Sequence, residues 1–183
     1  MIDAKAVTAV VVTYNRLPLL KQCLAALRAQ TVQGFTVLLV DNASDDGTAD
    51  YIKALAMPGL IYHNTGGNLG GAGGFARGLE EAVREADAAS GDYGWLSSRA
   101  LAPDGTDQPM NLQRKTMYKD IDSFDAPAVP AVMASFVSLF LRTRTVQQFG
   151  LPIAEFFIWS DDWEYTRRIS RAKLCWVIPA SRV

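Results

Sequence analysis

Two adjacent carboxylates set between two tryptophans are the most pointed chemical feature of the chain, in Phe156-Phe-Ile-Trp159-Ser-Asp161-Asp162-Trp163-Glu164-Tyr165. Acids at a helix start can take a proton from a hydroxyl, and indole faces suit a sugar ring. The single histidine, His63, sits on an expected strand, where a hydrogen-bonded structural imidazole is the simpler assignment. Proton abstraction therefore falls to a carboxylate, with Asp162 or Asp161 as the candidate. A plainer account of the same residues is an N-cap followed by a core tryptophan, and for Trp163 alone it is the better one.

Three further polar clusters each follow an apolar run: Thr13-Tyr14-Asn15-Arg16, Asp41-Asn42-Ala43-Ser44, and the stretch from Asn64 through Gly78. In an open parallel sheet, ligands gather at the carboxyl ends of the strands. Asp41 is suited to accept hydrogen bonds from a base or ribose; the less favoured alternative is that Asp41 and Asn42 merely shape a turn. The glycines from Gly66 to Gly78 let backbone approach a ligand, and the helix that follows offers N–H groups to an anion. Arg77 could add a charge-assisted phosphate contact. The alternative is a flexible loop with a close-packed helix start. Gly71-Ala-Gly73-Gly-Phe-Ala76 is only a weak dinucleotide fingerprint, because it follows the third strand and no acidic residue ends a strand at the required distance, so a nicotinamide-dependent oxidoreductase is the least favoured reading.

The elements that must position these residues are legible in the apolar periodicity. Val7–Thr13 is β-branched almost throughout, as in a central parallel strand buried on both faces. Leu17, Leu20, Leu24 and Leu27 mark a helix, and Pro18 fits its first turn. Phe35–Val40 is a second strand. Ser44 and Asp45 are expected to cap a short helix that turns Tyr51, Ile52 and Leu55 inward. Leu60–His63 is a third strand, and Phe75, Leu79, Ala82, Val83 and Ala86 mark another helix. This alternation means an α/β fold with a mostly parallel sheet flanked by helices. Beyond it, strands are expected over Leu96–Leu101, Ser135–Leu141 and Leu174–Ile178. Helices are expected over Thr143–Phe149, stopped by Gly150, and over Asp161–Arg171.

At 183 residues, with 49% apolar and 20% charged residues, the chain reads as one domain of ordinary globular composition. A net charge of -1 argues against nucleic acid and against electrostatic adhesion to an anionic membrane. Cys23 and Cys175 fit no metal or redox spacing, so a reduced, cytoplasmic protein is expected. The apolar stretches Ala6–Val12 and Ala131–Leu141 are too short for a signal core or a membrane span.

The order and spacing of four of these pieces resemble family 2 glycosyltransferases of the GT-A fold. They are Val10-Val-Val-Thr13-Tyr-Asn-Arg16, Val40-Asp41-Asn-Ala-Ser-Asp-Asp-Gly47-Thr48, Asn68-Leu-Gly-Gly-Ala-Gly-Gly-Phe-Ala-Arg77-Gly78 and Trp159-Ser-Asp161-Asp162-Trp-Glu164. The last two are most similar to bacterial galactofuranosyltransferases and related rhamnosyltransferases. The resemblance implies a single GT-A domain, its nucleotide-binding half about residues 1–95 and its acceptor half about 96–183. It places Thr13, Tyr14 and Arg16 by the nucleotide and Asp41 at the uracil or thymine edge. It also puts Asn68, Gly71 and Arg77 near the ribose and pyrophosphate.

Asp162 is then implied as the base that deprotonates the acceptor, assisted by Asp161 and Glu164, with Trp159 and Trp163 shaping the acceptor pocket. The implied reaction is inverting transfer from UDP-galactofuranose, or alternatively dTDP-rhamnose, to a glycan or lipid-linked glycan, with peripheral association at the inner membrane face. A nucleotide-sugar-binding module without turnover is the other outcome.

One departure stands out. Such enzymes hold Mg²⁺ or Mn²⁺ with an Asp-rich triplet at a strand end, but here Asp92-Tyr-Gly-Trp95 passes directly to Leu96-Ser-Ser-Arg. Either residues are missing between Trp95 and Leu96, or the chain is genuinely shortened there and cannot hold metal in the usual way; the metal ligands are unknown.

Overall fold

The computed structural model describes residues 7–85 and 93–183, giving only the helical backbone for 80–85. Ala86 and Asp92, both invoked above, lie outside the described residues, as do the side chains of Ala82 and Val83. The chain divides into two compact units, Met1–Ala89 with Ile153–Ile158, and Ser90–Pro152 with Trp159–Val183.

The first unit alternates strand and helix: β1 (Thr8–Thr13), α1 (Leu17–Arg28), β2 (Thr36–Asp41), α2 (Thr48–Leu55), β3 (Leu60–Asn64) and α3 (Gly70–Glu85). Its strands form a parallel sheet in the order β1-β2-β3, so β2, rather than the more β-branched β1, is central. The burial agrees, since five of the six β2 residues are buried and β1 is mostly half-buried. Alternation along β2 sends Val37 and Leu39 to one face and Leu38 and Val40 to the other. Leu20 and Leu24 of α1 and Ile52 of α2 pack with the first pair, while Val10 and Val12 pack with the second.

Helix α3 lies against that second face at glycine distance. A Cβ added at Gly74 would collide with Val12 Cγ1, and one at Gly78 with Val10 Cγ1. The expectation of a loop rich in glycine for a ligand is corrected here: Gly70 through Gly78 is helix, and Gly74 and Gly78 serve helix–sheet packing.

The capping of α2 also differs from expectation. Gly47 occupies the N-cap in a left-handed conformation, and neither Ser44 nor Asp45 caps the helix. Instead Asp46 Oδ1 accepts from the Thr48 amide (3.2 Å) and hydroxyl (2.6 Å). Its other oxygen accepts from the first amide of α1, Leu17 N, at 2.8 Å. A single carboxylate thus satisfies orphan donors at two helix starts.

The second unit holds β4 (Trp95–Arg99), the ribbon β5 (Arg114–Thr116) and β6 (Lys119–Asp120), then β7 (Val129–Pro130), β8 (Leu139–Leu141), α4 (Thr143–Phe149), α5 (Asp161–Ser170) and β9 (Trp176–Arg182). Its sheet is mixed, in the order β7-β9-β4-β8, with only β4 and β9 parallel. Trp95 and Leu96 are consecutive in β4 and pair with Leu141 and Phe140 without a shift. The strand expected over Ser135–Leu141 shortens to β8, because Ser138 adopts φ 53° and breaks the extended run.

Helix α5 is anchored by side chains the periodicity could not assign. The Trp95 indole donates to the Thr166 carbonyl at 2.9 Å, and the Tyr165 hydroxyl to the Gly150 carbonyl at 2.8 Å. Arg168 donates to the carbonyls of Phe149, the last residue of α4, and of Leu151 just beyond it. Cys23 and Cys175 are both free thiols, and burial pushes Cys175 up to about 11.

Candidate functional site

In the first unit the parallel register aligns Thr13 with Asp41 and Asp41 with Asn64, so three strand ends share one row. The loops beyond them are stitched together. Asn15 N–H donates to Ser44 Oγ and Asp45 N–H to Asn15 Oδ1, both at 2.9 Å. Asn15 accepts a φ of 49° in making these bonds, a conformation asparagine tolerates better than most residues. Between them the stitched loops present Tyr14, which is 45% exposed, and the exposed Arg16. Thr13 is buried beneath them.

Asp41 is fully buried, with both carboxylate oxygens occupied: Oδ1 accepts from Ser44 N–H (2.9 Å) and Oδ2 from the Tyr62 hydroxyl (2.6 Å). The turn-shaping role considered for this residue is therefore present. Asn42 faces the opposite way and donates to the Gly70 carbonyl at 2.8 Å, which holds the start of α3. Asn68 Oδ1 accepts from Gly70 N–H at 2.9 Å, so its side chain tends the helix start rather than standing open.

The helix N-terminus offers less to an anion than the sequence suggests, because Ala72 N–H already donates to the Phe157 carbonyl at 3.0 Å. Gly70 takes φ 70° there, and an added Cβ would strike that carbonyl. Gly71 has no such steric demand, since a Cβ would meet only the Phe157 carbonyl at 3.9 Å. Arg77 Nε donates to His63 Nε2 at 3.3 Å, so the imidazole is engaged by a neighbouring side chain rather than standing open.

In the second unit, α5 starts with Asp161, Asp162 and Glu164 in its first turn, where the helix dipole favours negative charge. Asp161 is buried and Asp162 half-buried. Burial raises both carboxyls above the ordinary value of 3.8 against the hydrogen bonds they accept, and the neighbouring Asp161 charge raises Asp162 further. One Asp162 oxygen accepts from Trp163 N–H at 2.7 Å. A carboxylate moved toward neutral pH is a stronger base, as proton abstraction needs.

The neighbours divide between open and engaged. Trp159 is 70% exposed, with φ 77°, and Ser160 follows at φ 65°. Two non-glycine residues in the left-handed region carry local strain of the kind found at functional loops. Trp163 is half-buried beneath the Arg114 guanidinium, 3.9 Å from the ring centre. Glu164 makes a two-point pair with Arg168 at 2.9 and 2.8 Å, so it braces α5.

A metal ion fits poorly with this donor set. Among the described residues no group of three or more His, Cys, Asp or Glu side chains could hold one. A cleft of about 460 Å³ lined by Leu27, Arg28, Phe35, Met57 and Pro58 lies at the amino ends of β2 and β3, away from the row of strand ends.

Residues 8–86, covering that row and its loops, match the family described as Glycosyl transferase family 2. They belong to it. Along most of its length, the family 2 segment included, the chain is 26% identical to galactofuranosyltransferase GlfT1 of Mycolicibacterium smegmatis, over 95% of this chain and 68% of that protein. It is 28% identical to GlfT1 of Mycobacterium tuberculosis, over 93% of this chain and 66% of that protein. The chain thus spans about two thirds of the curated relatives it matches.

Among solved structures it superposes on S. aureus TarS 1-349 with a TM-score of 0.64 at 18% identity, covering 96% of this chain and 58% of that one. The mannosyltransferase PcManGT of Pyrobaculum calidifontis, solved with GDP-Man and Mn²⁺, gives 0.64 at 18%, covering 97% and 55%. The fold is GT-A, as the motifs implied.

Two residues of the family 2 segment were not singled out from sequence, Asp46 and Tyr62. Asp46 carried a local signal, since an aspartate two residues before a threonine at a helix start is a capping pattern. Tyr62 carried none, because its reach to Asp41 depends on how β3 pairs with β2.

Proposed function

We propose that this chain binds a nucleotide-sugar donor and transfers its sugar, with inversion, to a hydroxyl of a glycan or lipid-linked glycan. UDP-galactofuranose is the first choice of donor and dTDP-rhamnose the second. The observation that carries the reading is the in-register row Thr13, Asp41 and Asn64 at the carboxyl edge of a parallel sheet, inside a family 2 segment. Asp41 marks the base end, Tyr14 offers an exposed ring, and Arg16, Asn68, Gly71 and Arg77 belong to the sugar and phosphate end. The likeness to GlfT1 supports galactofuranose, and the likeness to TarS solved with UDP supports a uridine donor.

The chemistry assigned to the second unit is proton removal. Asp162 takes the acceptor hydroxyl proton, the freed oxygen bonds to the anomeric carbon, and the bond from that carbon to the diphosphate oxygen breaks on the opposite face. Asp161 supports the charge, while Trp159 and Trp163 belong to the acceptor side. Glu164 acts through Arg168.

A divalent metal of the kind bound by PcManGT is expected to screen the departing diphosphate, but the described residues do not supply its ligands. The GlfT1 alignment runs over 211 positions, more than the 183 residues of this chain. GlfT1 therefore carries positions without a counterpart here, which supports the expectation that residues carrying the metal triplet are missing from this chain. Lack of that ligand set favours a second reading, a nucleotide-sugar-binding module without turnover. No helix among the described residues is long and apolar enough to cross a membrane.

A thermal-shift screen of UDP- and dTDP-sugars with and without Mn²⁺, followed by an assay for released nucleoside diphosphate, tests the proposal. Stabilisation with release supports transfer, and stabilisation without release supports the module. Stabilisation by NAD but not by either nucleotide series overturns both.

A further inference from the structure

Base recognition at this edge poses a steric problem. Asp41 is the acidic residue nearest the base end in the reading above, yet it is 0% exposed, and each of its oxygens already accepts a hydrogen bond. What covers it is the Tyr62 hydroxyl, which donates to Oδ2 at 2.6 Å. Asn64 Nδ2 in turn donates to that hydroxyl at 3.2 Å. The orientation of the Asn64 amide is fixed independently, because its oxygen accepts from Gly66 N–H at 2.8 Å.

The donor and acceptor inventory then decides what this edge displays. The Tyr62 oxygen spends its proton on Asp41 and one lone pair on Asn64, which leaves one lone pair. A proton shared with a carboxylate makes that oxygen a better acceptor than a free phenol. Asn64 is exposed and keeps a second amide hydrogen beside it. An acceptor beside a donor is therefore presented, backed by a buried negative charge. Burial and the adjacent Asp41 both hold the Tyr62 proton on, so this polarity persists at physiological pH.

We propose that the Tyr62 hydroxyl, rather than the Asp41 carboxylate itself, accepts the imide N–H of the donor's pyrimidine, and that Asn64 donates to the neighbouring carbonyl. This rests on the preceding assignment of Asp41 to the base end. Uracil and thymine present an imide N–H between two carbonyls, which matches the displayed pair. Cytosine presents an unprotonated ring nitrogen beside an amino group, which sets acceptor against acceptor and donor against donor. Tyr62 and Asn64 thereby become the residues that select the base.

The substitution Tyr62→Phe tests this with little disturbance to packing, since the ring stays against the Leu39 and Ile52 core and only the hydroxyl leaves. The dissociation constants of UDP and CDP are measured by calorimetry for the wild type, Tyr62→Phe and Asn64→Ala. Wild type is expected to prefer UDP, Tyr62→Phe to weaken UDP about tenfold and to erase the preference over CDP, and Asn64→Ala to weaken UDP by a smaller factor. A lost preference is a readout that general loosening of the fold would not produce, because both ligands share ribose and diphosphate. Unchanged or tighter UDP binding in Tyr62→Phe overturns the proposal, since Asp41 uncovered would then read the base directly. Absence of binding by both UDP and dTDP in the wild type sinks the functional reading itself and this inference with it.

Discussion

The two units hold their carboxylates in opposite ways. In the first, Asp46 is surrounded by donors from Thr48 and Leu17, which hold its carboxyl below the ordinary 3.8. In the second, Asp161 and Asp162 also accept backbone hydrogen bonds, but burial outweighs those bonds and both carboxyls rise. A carboxylate whose charge is satisfied is a structural fastener, whereas one short of solvation is a base. The same division appears in the backbone. The first unit's turns are stitched to one another by Asn15, Ser44, Asp45 and Asp46, while Trp159 and Ser160 carry strain beside the acidic pair. On the proposed reading, the first unit would hold the donor and the second would carry the reacting base.

Asp162→Asn probes this division with the largest effect. Transfer should fall roughly 100-fold or more, the range of a lost general base, while the UDP dissociation constant stays within about twofold. Wild-type turnover by that variant, followed as released UDP, would end the assignment of Asp162. In the first unit, Gly74→Ala should destabilise. Alanine gains about 1 kcal/mol in helix propensity, but the added methyl meets Val12, and overpacking costs about 1–3 kcal/mol. Urea denaturation gives the sign, and a more stable variant would show that α3 can shift off the sheet freely.

Stability against pH should separate the units next. Asp46, depressed when folded, contributes stability that is present above the ordinary carboxylate range and lost as pH falls through its folded value. Asp162, raised when folded, works in reverse: its contribution is fullest below that range and lost as pH rises through its folded value. Asp46→Asn should therefore flatten the acid side of the unfolding curve, and Asp162→Asn should remove a decline on the rising side. The transfer rate itself should climb as Asp162 ionises. The smallest effect is expected at Glu164→Gln, which breaks a half-exposed pair with Arg168 for about 0.5 kcal/mol. A large loss of transfer in that variant would return Glu164 to the reacting centre.

The alternation of apolar runs and helical faces was enough to place the strands and helices of the first unit to within a few residues, because each pattern reports burial along one element. The capping assignments failed at Ser44 and Asp45, since several adjacent polar residues can cap and only the actual turn selects one. Here Gly47 at φ 88° puts the helix start at Thr48 and leaves Asp46 within reach of it. The second unit was less legible. Its sheet mixes parallel and antiparallel strands of two to seven residues, and short strands carry little periodicity.

Chemistry followed the same split. The motifs Thr13–Arg16, Asp41–Thr48, Asn68–Gly78 and Trp159–Glu164 were all present as residue types at set spacings, and those spacings are fixed along the chain. Partners across strands are not so fixed. That Tyr62 covers Asp41, that Asn42 holds Gly70, and that the glycines of α3 admit Val10 and Val12 all follow from register and from the distance between helix and sheet. Those quantities arise only when strands far apart in sequence pair, so the order of residues could name the groups but not say which of them already had a partner.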